Sequence, residues 1–304
     1  MTAARTFPLV PRRRFVGASF GRDRSVRRGQ GDEVVGSRPY RPGDHLAWID
    51  WAASARLSAA RGTDEFVVRE YLAQEAPRAA IVVDRRPSLG LFGPESPWLD
   101  KPAAVLAAAE AIAASAVAAL GEVAYLDHGE PDGRSFWLPP AGRRRLGDIR
   151  ARLAGASFAA PPRALELGLQ ALLRHGHVLP PGSFVFVLSD FLAPIRAAEW
   201  VRLRALRWDV VPVIVQDPTW EQRFPEVHGA VVPFADPATG VVAPTRFTRR
   251  EVQALAREHE QRLDRAVRTF HHLSCDPVVV GSEDAFPPLA AWAAQRRALR
   301  RRAA

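Results

Sequence analysis

The strongest constraint on the fold is a regular alternation of short apolar runs and longer helical patterns between residues 77 and 217. The runs at 79–84, 184–190 and 209–215 are apolar except for polar residues at one end and are rich in Val, Ile, Leu and Phe, which is typical of strands buried on both faces of a sheet. Helical patterns such as 103–120 separate these runs. Because right-handed crossovers place such helices on both faces, the sequence predicts an α/β fold with a doubly wound, mostly parallel sheet.

The remaining patterns complete this alternation. Shorter strands are predicted at 122–127, 136–138 and 277–280, with a strand pair within 229–242. Helices are predicted at 144–153, 163–175, 194–207 and 248–270, with a final helix from residue 287 onward. Thr248 and Glu251 have the spacing of a capping box, which predicts that the long helix begins there.

Composition favours a folded protein without disulfides and argues against nucleotide hydrolysis. With 304 residues and 47% hydrophobic residues the chain can bury a sizeable core. Its net charge is +9, and of its 42 basic residues Lys101 is the single lysine. The single cysteine, Cys275, allows no intramolecular disulfide, which fits a reducing compartment. No phosphate-binding loop, Gly-x-Ser-x-Gly or Gly-x-Gly-x-x-Gly motif occurs, so nucleotide hydrolysis by this chain is not expected.

The apolar segments predict no transmembrane helix. Arginines interrupt the first residues, which therefore lack the apolar core of a signal peptide. The most apolar stretch, 102–120, is mostly alanine and contains Glu110, which is typical of a buried helix. We therefore expect a cytoplasmic location, or one peripheral to the membrane.

The predicted strands end in acidic residues. Four of them close at or near an aspartate, namely Asp84, Asp127, Asp190 and Asp217. Ligands of open parallel sheets bind beyond the carboxyl ends of the strands. The sequence therefore predicts an acidic edge where any functional site would lie.

A dense segment of turn formers, aromatics and charges precedes the sheet. Its motifs are Arg38-Pro39-Tyr40, Pro42-Gly43-Asp44, Ile49-Asp50-Trp51, Ala53-Ser54-Ala55-Arg56 and Val68-Arg69-Glu70. They resemble the signature of domain-of-unknown-function family 58, whose members are von Willebrand factor A-like proteins. The resemblance implies a Rossmann-like sheet of the von Willebrand factor A type with the signature segment packed on it. It divides the chain into an Arg/Gly-rich arm (1–35), the signature segment (36–77) and the α/β domain (78–304).

The resemblance extends to a metal-site loop. Asp84-Arg85-Arg86-Pro87-Ser88 and the later Ser189-Asp190 resemble the metal ion-dependent adhesion site, where Asp-x-Ser-x-Ser and a second aspartate hold magnesium. Arg86 stands at the first serine position, and no threonine occurs between Thr63 and Thr219 to complete the site. The loop formed by Asp84, Arg86, Ser88 and Asp190 is therefore predicted to be a degenerate site without metal, in which Arg86 pairs with Asp84 or Asp190 in place of the cation. In the alternative, Asp84 and Asp190 only cap loops after buried strands.

The signature segment supplies the candidate interaction residues. These are Arg38, Tyr40, Gly43, Asp44, Asp50, Trp51, Arg56, Arg69 and Glu70. Large apolar rings beside charged groups form a plausible recognition surface, but the same charges could equally satisfy each other in a capping layer.

Together these features predict a non-enzymatic adaptor or scaffold without catalytic residues, cofactor or small-molecule substrate. The family resemblance implies a MoxR-type AAA+ ATPase as its partner. One rival is a metal-dependent hydrolase that uses Asp84 and Asp190. The other is a nucleic-acid binder that uses the Arg-rich N-terminal arm and C-terminal helix.

Overall fold

The computed structural model describes residues 5–12, 34–41, 46, 49–62, 65–71, 76–129, 133–237 and 239–302. The chain divides into two compact units. The signature unit comprises Arg14–Ala76, and the α/β unit comprises Met1–Arg13 together with Pro77–Ala304. Residues 1–13 thus group with the sheet, whereas the sequence prediction placed 1–35 in a single arm.

The signature unit is a two-stranded antiparallel sheet with one helix. Strand β1 (Val34–Pro39) pairs with β2 (Val67–Tyr71), and helix α1 (Trp51–Arg61) lies between them in the chain. Asp50 caps α1 by accepting a hydrogen bond from the Ala53 amide at 3.0 Å, and Gly62 ends it in the left-handed region at φ 67°. The sequence analysis did not predict this helix.

The α/β unit contains a six-stranded sheet flanked by helices. Its strands are β3 (Arg78–Val83), β4 (Glu122–His128), β5 (Ser135–Ala141), β6 (Phe184–Ser189), β7 (Asp209–Val215) and β10 (Val278–Val280). A separate hairpin pairs β8 (Val231–Ala235) with β9 (Val242–Arg246). The helices are α2 (Lys101–Ala118), α3 (Arg144–Ala154), α4 (Ala164–Arg174), α5 (Ala197–Ala205), α6 (Arg249–His272) and α7 (Phe286–Arg302).

The strand order is β10-β7-β6-β3-β4-β5, and only β5 at one edge is antiparallel to its neighbour. Successive residues of β3 enter different cores: Ala79, Ile81 and Val83 pack with α2 and α7, whereas Ala80 and Val82 pack with α4, α5 and α6. Helices therefore cover both faces of the sheet. The predicted mostly parallel α/β architecture is confirmed.

Two local features depart from or extend the sequence prediction. The short strand at 136–138 is part of a seven-residue strand that continues through Pro139 and Pro140, which an edge strand tolerates because one side of its backbone needs no partner. The capping box of Thr248 and Glu251 forms as predicted and starts α6.

An N-terminal strap, residues 5–12, lies along the α/β unit. Phe7 is buried, and its amide donates a hydrogen bond to Ser115 Oγ on α2 at 3.0 Å. The Arg12 amide donates to Asp209 Oδ2 at the start of β7 at 2.8 Å. The remainder of the predicted arm, residues 13–33, lies outside the described residues.

Helix α2 is the one helix, within the described part of the chain, that is long and apolar enough to cross a membrane. Half of its 18 residues are buried inside the protein, where they pack on the sheet.

Candidate functional site

The loop after β3 forms an ion pair at the carboxyl edge of the sheet, which is the edge where β3, β6 and β7 end. Asp84 is buried there, and the Arg86 guanidinium contacts both of its carboxylate oxygens, with Nε at 3.0 Å from Oδ1 and 2.8 Å from Oδ2. Arg86 Nη2 lies 2.5 Å from Oδ2. Ser189 Oγ, at the end of β6, donates to the same Oδ2 at 2.7 Å. The carboxylate of Asp84 is therefore held by a cation and a hydroxyl of its own chain.

Asp190 is paired with a second internal cation. Lys101, the first residue of α2, is fully buried, and its ammonium lies 3.3 Å from Asp190 Oδ2 and 2.6 Å from Glu221 Oε1. Arg86 Nη2 stands 3.8 Å from Asp190 Oδ1, so both cations face this aspartate. Sequence reasoning did not place Lys101 in the site. The available signal was its uniqueness, because this chain uses arginine at every other basic position.

Asp217, a further acidic residue of this edge, holds two loops together. Asp217 Oδ1 accepts hydrogen bonds from the amides of Thr219 and Trp220 at 2.8 and 2.7 Å, and Oδ2 accepts from the Leu99 amide at 2.9 Å. It therefore ties the loop before α2 to the loop after β7. Gln216 donates to the backbone oxygen of Asp190 at 2.6 Å, which links the ends of β6 and β7.

Burial and charge shift the titration of two groups in this network. Burial lowers the pKa of the Arg86 guanidinium, but its hydrogen bonds to Asp84 and the charge of that carboxylate outweigh the effect and raise it above the usual value. Burial raises the pKa of the Glu221 carboxyl, and the Lys101 ammonium offsets only part of this.

Ser88, the fourth residue of the predicted metal-site loop, lies in a short 3-10 helix, Pro87–Gly90. Among the described residues it makes no hydrogen bond to Asp84 or Asp190. Nor do three or more His, Cys, Asp or Glu side chains of the described ranges gather in a group that could hold a metal ion. The arrangement instead places one guanidinium among the oxygens of Asp84, Ser189 and Asp190.

A small cavity borders Arg86 on the side of α4 and α5. Its volume is about 50 Å³, and its polar lining comes from Arg86, Glu166, Arg196 and Glu199. Substrate pockets typically have volumes of about 300–1,000 Å³. This cavity has room for a few waters or the tip of one side chain.

The comparisons with known proteins agree with the sequence signature. Residues 36–262 match the family described as protein of unknown function DUF58. The chain belongs to the DUF58 family. The match begins in β1 of the signature unit and ends in α6, so it spans parts of both units and includes Asp84, Arg86, Lys101, Ser189, Asp190, Asp217 and Glu221.

Relatives of this DUF58 chain include uncharacterized proteins of Mycobacterium tuberculosis strain H37Rv and Mycobacterium bovis. Each is 28% identical over 247 residues, which cover 79% of this chain and 71% of the relative. A similar solved structure is that of an aerotolerance-related membrane protein from Bacteroides fragilis NCTC 9343 with multiple mutations to serines. It is 15% identical, with a TM-score of 0.39, over 74% of this chain and 97% of the other.

Several of the predicted signature residues have a described place in the signature unit. Asp50 caps α1, and Arg56 lies exposed on that helix. Trp51 is 64% exposed, and its ring contacts the Phe66 ring edge-on, with 6.0 Å between the centroids. The Tyr40 ring also contacts Phe66, with 6.4 Å between the centroids.

The remaining signature residues are described in part. Arg38 donates to the Pro39 oxygen at 3.1 Å. The backbones of Arg69 and Glu70 lie in β2 opposite Ser37 and Gly36, and their side chains lie outside the described residues. Gly43 and Asp44 also lie outside the described residues.

A second buried ion cluster lies beside the carboxyl-edge network of the DUF58 chain. Asp127, at the end of β4, receives Arg85 Nη1 at 3.0 Å, Arg152 Nη2 at 2.8 Å and Tyr125 Oη at 2.8 Å. Burial raises the pKa of the Tyr125 phenol well above its usual value, with the Asp127 charge adding to the effect. Arg85 thus ties the loop after β3 to the end of β4, whereas the neighbouring Arg86 pairs with Asp84.

The raised pKa of Glu221 predicts a pH-dependent contribution to stability. Native Glu221 keeps its proton to a higher pH than the unfolded chain, where its value is about 4.5. Its contribution is therefore present below about pH 4.5 and is lost as the pH rises through the native pKa. We expect the unfolding free energy of wild type, relative to Glu221→Gln, to fall over this pH window in urea titrations. Glu226→Gln, at an exposed position, is the matched control, and a pH-independent difference for Glu221→Gln would contradict the prediction.

Proposed function

We propose that the chain is a non-enzymatic adaptor that presents the carboxyl edge of its sheet to a partner protein. The observation that carries the proposal is that the acids of this edge are neutralised by cations of the chain itself, Arg86 on Asp84 and Lys101 on Asp190. Such internal pairing fixes the shape of the edge and leaves it ready for contacts with another protein.

The same pairing argues against a metal-dependent hydrolase. A hydrolytic metal needs anionic oxygens that are free to bind it. Both oxygens of Asp84 already accept hydrogen bonds from Arg86, and Ser189 donates its proton to one of them. The cavity of about 50 Å³ beside Arg86 leaves little room for a substrate. We therefore propose that the site is a degenerate metal ion-dependent adhesion site on a von Willebrand factor A-like sheet, with Arg86 in the position of the metal.

An aromatic surface supports protein recognition at this edge. Trp98 lies in the loop that Asp217 holds and is 38% exposed. Its ring contacts those of Trp220 and Phe92 edge-on, with 5.4 Å between the centroids in each pair. Phe92 has a φ of 59°, which is rare for an aromatic residue and indicates that the surrounding loop fixes its position. Exposed tryptophans held by neighbours are common energetic centres of protein interfaces.

We propose a MoxR-type AAA+ ATPase as the partner, on the strength of the family resemblance, and a cytoplasmic location for the complex. Burial raises the pKa of the Cys275 thiol to about 11, which disfavours the reactive thiolate.

The test is binding of the purified full-length chain to the MoxR-type ATPase encoded in the same genome, measured by calorimetry. We expect Trp98→Ser to weaken the complex by about 30-fold, which corresponds to about 2 kcal/mol for an interface hot spot. Leu206→Ser, at the opposite edge and also 38% exposed, is the matched control and should leave the affinity unchanged. Absence of binding, or equal weakening by both variants, would refute the proposed partner surface.

A further inference from the structure

The amino edge of the sheet carries a continuous basic and apolar surface. We define the amino-edge surface by Arg78, Leu120, Arg174, His177, Leu206 and Arg207. These residues lie at the ends of α2, α4 and α5 and at the start of β3, where the chain turns into the parallel strands. The surface is thus at the opposite end of the parallel strands from the carboxyl edge, where Arg86 and Lys101 pair with the acids.

Direct contacts join these loops into one surface. Arg78 bridges two of them, since its Nε lies 3.1 Å from Glu122 Oε2 and its Nη1 donates to the Val178 oxygen at 3.3 Å. The Leu206 side chain packs beside Gly176: its Cδ1 would lie 3.3 Å from a Cβ built on that glycine. The Arg207 oxygen accepts a hydrogen bond from the Gly182 amide at 2.9 Å.

Arg78 is paired with Glu122, so the arginines of this surface that can bind an external anion are Arg174 and Arg207. Arg174 and Arg207 are exposed, and no carboxylate of the described ranges pairs with either of them. The pKa of His175 reflects the local charge: burial lowers it, and His177 and Arg174 lower it further. Arg296 binds Asp209 at the start of β7 and so fixes helix α7 at this end of the sheet. The exposed Arg297 and Arg301 follow on the same helix and add positive charge.

Two leucines on this surface point to a lipid rather than a nucleic-acid partner. Leu120 is 85% exposed, and Leu206 is 38% exposed. Leu120 also adopts a φ of 57°, a backbone conformation that glycine or asparagine occupies at less cost. An exposed leucine in this conformation brings no packing to the fold. Leucines beside arginines are the pattern of segments that lie in the headgroup region of an anionic bilayer.

We propose that the amino-edge surface binds an anionic phospholipid membrane, with the arginines at the headgroup phosphates and Leu120 and Leu206 inserted among the acyl chains. The amino-edge surface and the carboxyl edge lie at opposite ends of the parallel strands. The α/β unit of a membrane-bound chain therefore keeps its carboxyl edge facing away from the bilayer. The proposal rests on the geometry of the α/β unit and is independent of the adaptor's partner.

The test is sedimentation of the full-length chain with vesicles of phosphatidylglycerol and phosphatidylcholine, compared with vesicles of phosphatidylcholine alone. We expect binding to the anionic vesicles only, weakening as salt is raised. Each basic residue near such a surface contributes about fivefold to the partition coefficient, so Arg174→Glu/Arg207→Glu should lower it by roughly 25-fold or more. Leu120→Asn, which suits the local backbone, should lower it by roughly tenfold.

The matched control is Arg249→Glu/Arg250→Glu, which changes the net charge equally at exposed positions in the first turn of α6. It should retain most of the binding, and thermal melts verify that each variant is folded. Absence of wild-type binding at low salt, or equal losses in the control, would overturn the proposal. So would binding of duplex DNA by the same surface with no effect of Leu120→Asn, since that result identifies a nucleic-acid site.

Discussion

Replacing Lys101 by methionine is expected to lower the free energy of unfolding by about 3–5 kcal/mol. The variant removes the ammonium from a fully buried position, so that Glu221 loses its cation and Asp190 keeps only the more distant Arg86, at 3.8 Å. A buried charge without a counterion has lost its hydration, and no ion pair compensates for that loss. Urea denaturation of wild type and variant measures the effect.

Two further variants separate this cause from general damage to the site. Arg150→Met removes an exposed cation that is also paired with a glutamate, Glu110, and should leave stability nearly unchanged, because solvent screens an exposed ion pair. Lys101→Met/Glu221→Gln removes one of the stranded charges and should recover part of the loss. If Lys101→Met is as mild as Arg150→Met, the buried ammonium does not hold the carboxyl edge together.

Arg86→Ser is expected to make the stability of the chain depend on magnesium. The substitution removes the guanidinium from Asp84 and restores an Asp-x-Ser-x-Ser pattern at residues 84–88. Without a cation the variant should lose about 3–5 kcal/mol, because Asp84 is then buried and unpaired. Added magnesium binds only the folded form and should raise its thermal midpoint, whereas the midpoint of wild type should not move.

The double variant Arg86→Ser/Asp84→Asn is the control, because it lacks both the cation and the charge that would attract magnesium. Its thermal midpoint should be indifferent to the ion. Clear magnesium binding by the wild-type protein in calorimetry would sink the idea that Arg86 stands in place of the metal.

The sheet and the pairing of Arg86 were predictable from the sequence for simple reasons. Strands buried on both faces are continuously apolar, so 79–84 and 184–190 stand out without any knowledge of their neighbours. Parallel strands bring their carboxyl ends together, which places the residues after them at one edge. An arginine two residues after Asp84 then has the reach to pair with that carboxylate.

Other features depend on long-range contacts that no local pattern encodes. Lys101 meets Glu221 across 120 positions of the chain, and the apolar helix that follows it gives no hint of a buried ammonium. Helix α1 has no clear apolar stripe, and only Asp50 and Gly62 mark its ends. The packing of the signature segment on the sheet and the role of its residues in binding stay predictions.

The order of the chain through its two units has a consequence for how such a protein can diversify. Arg12 is fixed to the first residue of β7, and Pro77 accepts a hydrogen bond from Glu122 at the first residue of β4. In the chain the signature unit is thus an insertion into the α/β unit, and the described α/β residues nearest to it on each side, Arg12 and Pro77, both lie at the amino ends of the strands. Neither connection interrupts a strand. We therefore expect the inserted unit to tolerate changes in length and sequence while the sheet and its ion-paired carboxyl edge persist.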